Sequence, residues 1–327
     1  MKVLHGACLF TCLAFATAVS AQNAQKDQKA GSYLSLSGSI GSSSFDYKLE
    51  GLKNEKGTRE GKIGYAFDLR YSYFFDSHWG ISSGVGISHY QTTGKLKGSM
   101  ADNVFYKLGN FIDYDEEGRP RNFEFRTRLR NQKEKQTAYL LEVPILGNYQ
   151  TRLGDTERWG IYAGLGIKLQ LPVSAKFKMQ QGANSQFNVS GYYEGIPTDM
   201  GSPSNPPVPQ HGYGTITDPN KELGWDDDVK LKMGIAGSAE LGVMVDLGKG
   251  MDLLLGGYMD YGFNDIQKKG NQALFIAPET YHPSRFGENN TPYIGKGITY
   301  NGMLNSHLTD KVKWISWGGK IALRFKL

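Results

Sequence analysis

The chain has 327 residues, and its 37 basic and 32 acidic side chains leave a net charge of +5. The basic residues are scattered, so no nucleic-acid-binding surface is indicated. The two cysteines, Cys8 and Cys12, lie near the N-terminus, so the remainder of the chain has no disulfides, thiolate catalysis or zinc–cysteine sites. The 42 glycines, 19 tyrosines and 16 phenylalanines favour strands and turns over helices.

The N-terminus has the pattern of a secretory signal peptide. Lys2 is followed by an apolar stretch over 7–18, and small residues precede a cleavage position after Ala21. The stretch is shorter than the roughly 20 residues of a membrane anchor. A lipoprotein modified at Cys12 is an alternative, although the preceding Leu9-Phe10-Thr11 lacks small residues. We expect a signal peptide at 1–21, a short periplasmic segment at 22–31 and one barrel domain at 32–327.

Eight segments alternate apolar and polar residues with a period of two, which predicts β-strands with one apolar face. Each is long enough for the roughly 9–11 residues with which a tilted strand crosses a bilayer. In chain order they are 32–48, 61–75, 79–95, 135–153, 159–169, 230–248, 251–267 and 315–327.

The connections between these segments alternate in length. Short turns at 76–78, 154–158 and 248–250 alternate with long links at about 50–60, 96–134, 180–229 and 268–311. This pattern is typical of outer-membrane barrels, which have short periplasmic turns and long external loops. The prediction is a closed, antiparallel, up-and-down transmembrane β-barrel of eight strands.

A ten-stranded barrel is the alternative. Residues 187–190 could pair with an extension of the fifth strand, and the alternation of residues 123–130 could begin the fourth strand early.

The apolar faces could point into the core of a soluble barrel or outward to lipid. Aromatic residues of these faces lie beside the short turns or the C-terminus, which indicates an interfacial girdle and favours lipid. The outer membrane is therefore the expected location. The residues are Tyr73, Phe75, Trp79, Tyr149, Trp159 and Phe325.

The last strand ends at Leu327, with Phe325 two places earlier on the same face. This ending resembles the C-terminal signal by which outer-membrane barrels engage their insertion machinery. Most such signals end in an aromatic residue, so Leu327 departs from the pattern. We expect Phe325 and Leu327 to form the assembly signal.

Three strand sequences carry a family resemblance: Y-L-L-E-V-P-I-L-G-N-Y, W-G-I-Y-A-G-L-G-I and W-G-I-S-S-G-V-G-I-S-H-Y. They resemble the outer-membrane β-barrel (porin-family, PorT-like) proteins of Bacteroidota. The resemblance implies the fold more closely than the activity, because such families include structural barrels and parts of secretion systems.

Catalytic chemistry is not indicated. Some outer-membrane barrels modify lipid A with a histidine near the external rim, and Ser88-His89-Tyr90, His282 and His307 are the candidates here. Scattered histidines are more often surface residues. The run 226–228 of three aspartates lacks the alternation and turn glycine of a calcium loop. We expect no enzyme activity, no cofactor and no metal.

The polar faces place charged residues in the lumen, where isolated charges are costly and mutual pairing is expected. We expect a salt-bridged plug rather than an ion path, with Glu142 and Glu240 as partners of the last strand's two cations. The predicted cluster is Asp68, Arg70, Glu142, Lys168, Glu240, Asp246, Asp260, Lys320 and Arg324.

The function that follows is a non-enzymatic structural or interaction module that works through its extracellular loops. The alternatives are a transport barrel for small or hydrophobic solutes and a lipid-A-modifying enzyme. The expected partners are outer-membrane lipid and lipopolysaccharide, the insertion machinery and a protein at the loops.

Overall fold

A computed structural model describes residues 30–49, 56–97, 103–114, 120–130, 132–154, 158–180, 186–193, 210–216, 224–268, 273–276 and 299–327. The expected signal peptide and nearly all of the segment at 22–31 lie outside this part of the chain, as does His282. Within these residues, Met303–Asn305 form a 3₁₀ turn. Within the described residues no helix is long and apolar enough to span a bilayer.

The described residues form strands over most of their length. In chain order the strands are β1 (Gly31–Leu49), β2 (Lys56–Phe74), β3 (Trp79–Lys97), β4 (Asn103–Tyr114), β5 (Pro120–Arg130), β6 (Gln132–Leu153), β7 (Trp159–Gln180), β8 (Gln186–Tyr193), β9 (Gln210–Ile216), β10 (Asp226–Asp228), β11 (Gly234–Gly248), β12 (Met251–Gly262), β13 (Phe275–Ile276), β14 (Thr299–Tyr300) and β15 (Thr309–Lys326).

Eight long strands close into a ring in the order β1-β2-β3-β6-β7-β11-β12-β15, and β15 pairs with β1. Every pairing in the ring is antiparallel. Closure removes the free edges that an open sheet would expose. The predicted eight-stranded, up-and-down barrel is confirmed.

Short connections close one end of the ring, here named the turn end. Between β2 and β3, Asp76 Oδ1 accepts hydrogen bonds from the backbone N–H groups of Trp79 (2.7 Å) and His78 (2.6 Å), which lowers the pKa of the Asp76 carboxyl. Between β11 and β12, residues 248–250 have φ values of 83°, 55° and 75°. Glycine at the first and third of these positions accommodates the left-handed conformation without strain.

The apolar side chains of the ring point outward and form a belt around it. Trp79 and Trp159 are each 58% exposed at the turn end, and Phe325 and Leu327 also lie on this outer face. A soluble barrel would bury these side chains, so the belt is the surface that lipid covers. Further members are Leu36, Ile40, Ile63, Phe67, Val85, Ile145, Leu165, Leu241 and Ile321.

The opposite end, named the loop end, is built up beyond the belt. Strands β4, β5, β8 and β9 form a separate four-stranded sheet within the long connections, and β10 pairs with β7 at Lys176–Lys178. Residues 187–190 pair with β5 and not with β7. The ten-stranded alternative is therefore wrong. Its two extra segments, 123–130 and 187–190, pair with each other in a separate sheet and do not join the ring.

Candidate functional site: the filled lumen and its loop-end cap

The lumen contains charged side chains in three layers along the barrel axis. Nearest the loop end, Lys168 Nζ lies 2.6 Å from Asp260 Oδ2 and 3.3 Å from Glu142 Oε2. Glu142 Oε1 also accepts hydrogen bonds from Ser88 Oγ (2.8 Å) and Gln170 Nε2 (2.9 Å). One cation is thus shared by two carboxylates that are almost completely buried, and hydrogen bonds from neutral side chains also stabilise Glu142.

The middle layer joins four side chains from β2, β11 and β15. Arg70 contacts Asp68 (Nε to Oδ1, 2.6 Å) and Glu240 (Nη2 to Oε1, 2.8 Å). Lys320 Nζ lies 2.9 Å from Glu240 Oε1 and 3.6 Å from Asp68 Oδ2. Two cations and two carboxylates therefore alternate in a closed, neutral quartet.

The third layer lies at the turn end. Asp252 and Arg324 are directly opposite each other on β12 and β15, and Arg324 Nη2 lies 2.7 Å from Asp252 Oδ2. Arg152 Nη2 approaches the other carboxylate oxygen at 2.5 Å. The Arg324 guanidinium also stacks 4.7 Å from the centre of the Tyr33 ring.

Two members of this layer, Arg152 and Asp252, are absent from the predicted cluster. Both are in phase with predicted lumen residues, since Arg152 has the parity of Glu142 on β6 and Asp252 that of Asp260 on β12. Strand phase alone is therefore a sufficient signal to find both residues in the sequence.

The pairing of Arg324 also differs from expectation. Glu240 does receive Lys320, but Glu142 binds Lys168, and Arg324 binds Asp252 because the register sets them side by side. The structure places Asp246 apart from the buried layers: it is exposed at the end of β11, 4.0 Å from Arg152, and accepts a bond from Gly248 N.

Little space remains around these layers. Within the described part of the chain, cavities of about 10 Å³ and 50 Å³ adjoin the middle layer. A buried water needs roughly 10–15 Å³ on this measure, so the cavities hold one to a few waters. The charges therefore fill the lumen instead of lining a channel.

Above the charged layers the lumen becomes apolar. Trp314 is fully buried, with ring centres 4.8 Å from Phe45 and 5.0 Å from Tyr90. The Tyr90 hydroxyl is linked to Ser316 (3.1 Å) and Gln170 (3.0 Å), which connects this aromatic group to the first charged layer.

Segments from the long connections close the loop end over these aromatics. This loop-end cap comprises the described residues 225–231, 266–267, 274–275 and 300–308. Tyr300 packs against Trp225, Phe275 and Phe177, with ring centres 5.1 to 5.5 Å away. These parts of the long connections have a packed core of their own.

A buried carboxylate fastens the cap to the barrel wall. Glu134 Oε2 accepts hydrogen bonds from Tyr300 Oη (2.5 Å) and Met303 N (2.8 Å), and Oε1 accepts one from Gln136 Nε2 (2.7 Å). Glu134 lies on the loop-end side of the belt and is fully buried. Burial raises its pKa, and the three hydrogen bonds oppose that rise.

The histidine candidates do not converge. Ser88 points into the lumen, whereas His89 lies on the outer face, stacked on Tyr65 with ring centres 4.9 Å apart. His307 is exposed within the cap. No group of three or more histidine, aspartate or glutamate side chains among the described residues is arranged to hold a metal ion.

Comparison with known proteins agrees with this architecture. The model of the outer membrane protein beta-barrel domain family matches residues 21–268. No curated protein sequence matches the chain significantly.

Solved structures with low sequence identity are also similar. OprG from Pseudomonas aeruginosa is 15% identical, over 91% of this chain and 97% of that one, with a TM-score of 0.33. Neisserial surface protein A is 10% identical over 92% and 100%, with a TM-score of 0.30. Ail of Yersinia pestis, in complex with the heparin analogue sucrose octasulfate, is 12% identical over 90% and 99%, with a TM-score of 0.27.

The family match covers most of the chain, and the barrel that the family's description names agrees with the closed ring that the structure shows. In such barrels the short turns are periplasmic and the long loops extracellular. The chain belongs to the outer membrane protein beta-barrel domain family and is an integral protein of the bacterial outer membrane.

Proposed function

We propose that the protein is a closed, non-enzymatic barrel that acts through its extracellular part as an interaction module. The observation that carries this proposal is the filled lumen: three layers of paired charges lie beneath an apolar cap. A barrel closed in this way favours binding at its surface over passage through it.

The extracellular part offers an extended surface for a partner. The separate sheet of β4, β5, β8 and β9 lies in the connections that leave the loop end. Its strand β5 carries arginine at three alternate positions, Arg126, Arg128 and Arg130. Arginine recognises carboxylates through paired hydrogen bonds, so an acidic protein partner suits this strand.

A catalytic role is disfavoured by the position of the histidine candidates. Ser88 and His89 are on opposite faces of the same sheet, so they do not form a nucleophile–base pair, which requires direct hydrogen-bond reach.

The sequence resemblance supports placing the chain among the porin-family, PorT-like barrels of Bacteroidota, with a cleaved signal peptide at 1–21.

The proposal is tested in cells. Surface cross-linking should give a defined adduct with the wild type that is lost when Arg126, Arg128 and Arg130 are changed to glutamine. A Lys249→Gln variant at the periplasmic turn is the control and should keep the adduct. A deletion strain should retain its lipid A profile by mass spectrometry. An altered profile would support the lipid-modifying alternative, and an adduct unaffected by the arginine changes would contradict the proposed surface.

A further inference from the structure

We propose that β6 and β7 carry a binding site for the phosphate groups of an outer-leaflet glycolipid. The site consists of Lys133, Lys135, Lys176 and Lys178, on the outer face of the barrel directly above the lipid belt. It is distinct from the loop surface proposed above and does not involve the lumen, and it adjoins the loop-end cap at β10.

Strand register brings the four lysines together. Lys135 is paired with Lys178, Thr137 with Lys176, and Lys133 with Gln180. The register shifts at Tyr139/Leu140, opposite Pro172, and beyond this shift Lys176 and Lys178 are exposed. This register shift therefore places the side chains of Lys176 and Lys178 on the outer face of the barrel. The lipid belt lies on the same face, nearer the turn end.

This arrangement is unfavourable without an anion. Like charges directly opposite each other on neighbouring strands are destabilising, and none of the four lysines forms an ion pair within the described residues. Elsewhere on the same outer face the charges are compensated: Glu60 lies 2.6 Å from Lys62 and 3.0 Å from Lys95. On β10, Asp226 and Asp228 lie opposite Lys178 and Lys176 without forming an ion pair, so the four lysines keep a net positive charge that suits an anion.

The lysines continue the lipid-facing surface without a break. Below Lys135 on β6 follow Thr137, Tyr139 and Leu141, and Tyr139 and Leu141 are about two-fifths exposed at 42% and 41%. Lys135 stands four residues above Tyr139, about 13 Å along the strand at 3.3 Å per residue. On β7, Val173 is 68% exposed below Lys176.

This order of side chains matches an amphiphile lying along the barrel. Acyl chains would contact Leu141 and Val173, sugar hydroxyls would face Thr137 and Tyr139, and phosphates would reach the lysines. Basic residues at a membrane surface attract anionic lipids in this way. A soluble anion would gain nothing from the apolar half of the surface.

An open cleft beside the lysines determines on which side of β7 the phosphate headgroup lies. A space of about 580 Å³ lies between Lys135, Lys176 and Lys178 and the carboxylates of β10. Asp226 and Asp228 are paired with Lys178 and Lys176 on the far side of β7. The carboxylates repel phosphate, so the headgroup is held over the β6 side of the cleft.

The test is a titration of the purified, folded protein in detergent with bisphosphorylated lipid A, followed by native mass spectrometry. Changing Lys133, Lys135, Lys176 and Lys178 together to glutamine should weaken binding at least about tenfold. The control changes the exposed Lys230, Lys232, Lys268 and Lys311 to glutamine, removes the same charge at the same end of the barrel, and should retain wild-type affinity. Heat-modifiable migration verifies folding of both variants.

Three further titrations distinguish this site from general attraction. Lipid A without phosphates should bind the wild type and the lysine variant equally weakly, and inorganic phosphate should bind neither. The Asp226→Asn/Asp228→Asn variant should bind bisphosphorylated lipid A more tightly than the wild type. Equal weakening by the control lysines, or equal binding of lipid A with and without phosphates, would overturn the proposal.

Discussion

Lys168 is shared between two carboxylates, Glu142 and Asp260, and its side chain is only 7% exposed. Removing a cation from a buried cluster leaves the carboxylates uncompensated, and this penalty exceeds the net contribution of the pair itself. Glu142 holds a less critical position, because Lys168 retains Asp260 when Glu142 is neutralised.

Lys168→Met should therefore lower the free energy of unfolding by about 3–5 kcal/mol, whereas Glu142→Gln should cost about 1–3 kcal/mol. Urea titration of the heat-modifiable folded form measures both. Equal losses for the two variants would show that Lys168 does not hold the carboxylates as a shared cation.

Glu134 gives the cap a pH dependence of defined sign. Because burial raises its pKa above the ordinary value of 4.5, the folded cap binds a proton more tightly than the unfolded cap does. The cap should lose stability as the pH rises from 4.5 through the raised pKa, with protection fully present below that window. Hydrogen exchange of residues 300–304, corrected for intrinsic rates, should show greater protection at pH 5 than at pH 8.

Glu134→Gln has the shape of the protonated carboxyl and does not titrate, and its amide NH2 replaces one of the two accepting oxygens. It should remove the pH dependence of exchange in this segment. A pH dependence that persists in this variant would assign the effect to another group.

At the level of elements, the cap fits the barrel because β3 has a glycine where the two meet. A β-carbon on Gly94 would lie 2.6 Å from Met303 Sδ and 2.6 Å from Tyr47 Oη. Core positions that are already filled do not accommodate added volume without displacement of a neighbour.

Gly94→Val should displace the cap while the ring stays closed. Limited proteolysis should cut the 300–308 segment faster than in the wild type, while heat-modifiable migration persists. Gly319→Val on β15 is the matched control, since a β-carbon there meets nothing within 4 Å. Equal protease sensitivity in the two variants would indicate that the cap does not depend on contact with β3.

The positions of the strands are largely predictable from sequence, whereas the pairing of their residues across neighbouring strands is not. A period of two places Arg70 and Glu240 in the lumen, but which carboxylate meets Arg324 depends on register, and the register shift between Asp246 and Gly248 is invisible in the alternation. The strand at 187–190 was equally readable, but not its pairing with β5.

The cap lay beyond prediction for a different reason. Trp225 and Tyr300 belong to segments without periodicity, and they come together only through packing between distant parts of the chain.

On the scale of the whole molecule, two structures in series block the lumen. The cap covers the extracellular end, and three layers of paired charges lie between it and the periplasmic turns. An eight-stranded barrel is only wide enough for its own side chains, and the cavities of about 10 and 50 Å³ beside the middle layer agree with that limit. Each barrier should therefore be sufficient alone.

Planar bilayer recordings test this redundancy. The wild type should give no stable conductance, and a variant with residues 300–308 replaced by a glycine–serine linker should give none either, because the charged layers remain. Lys249→Gln controls for effects of insertion. Steady, salt-dependent steps in the wild type would favour the transport alternative, since ions would then be crossing both barriers. Steps in the linker variant alone would show that the cap is the sole barrier. They would contradict the filled lumen, because ions would then pass between the paired charges.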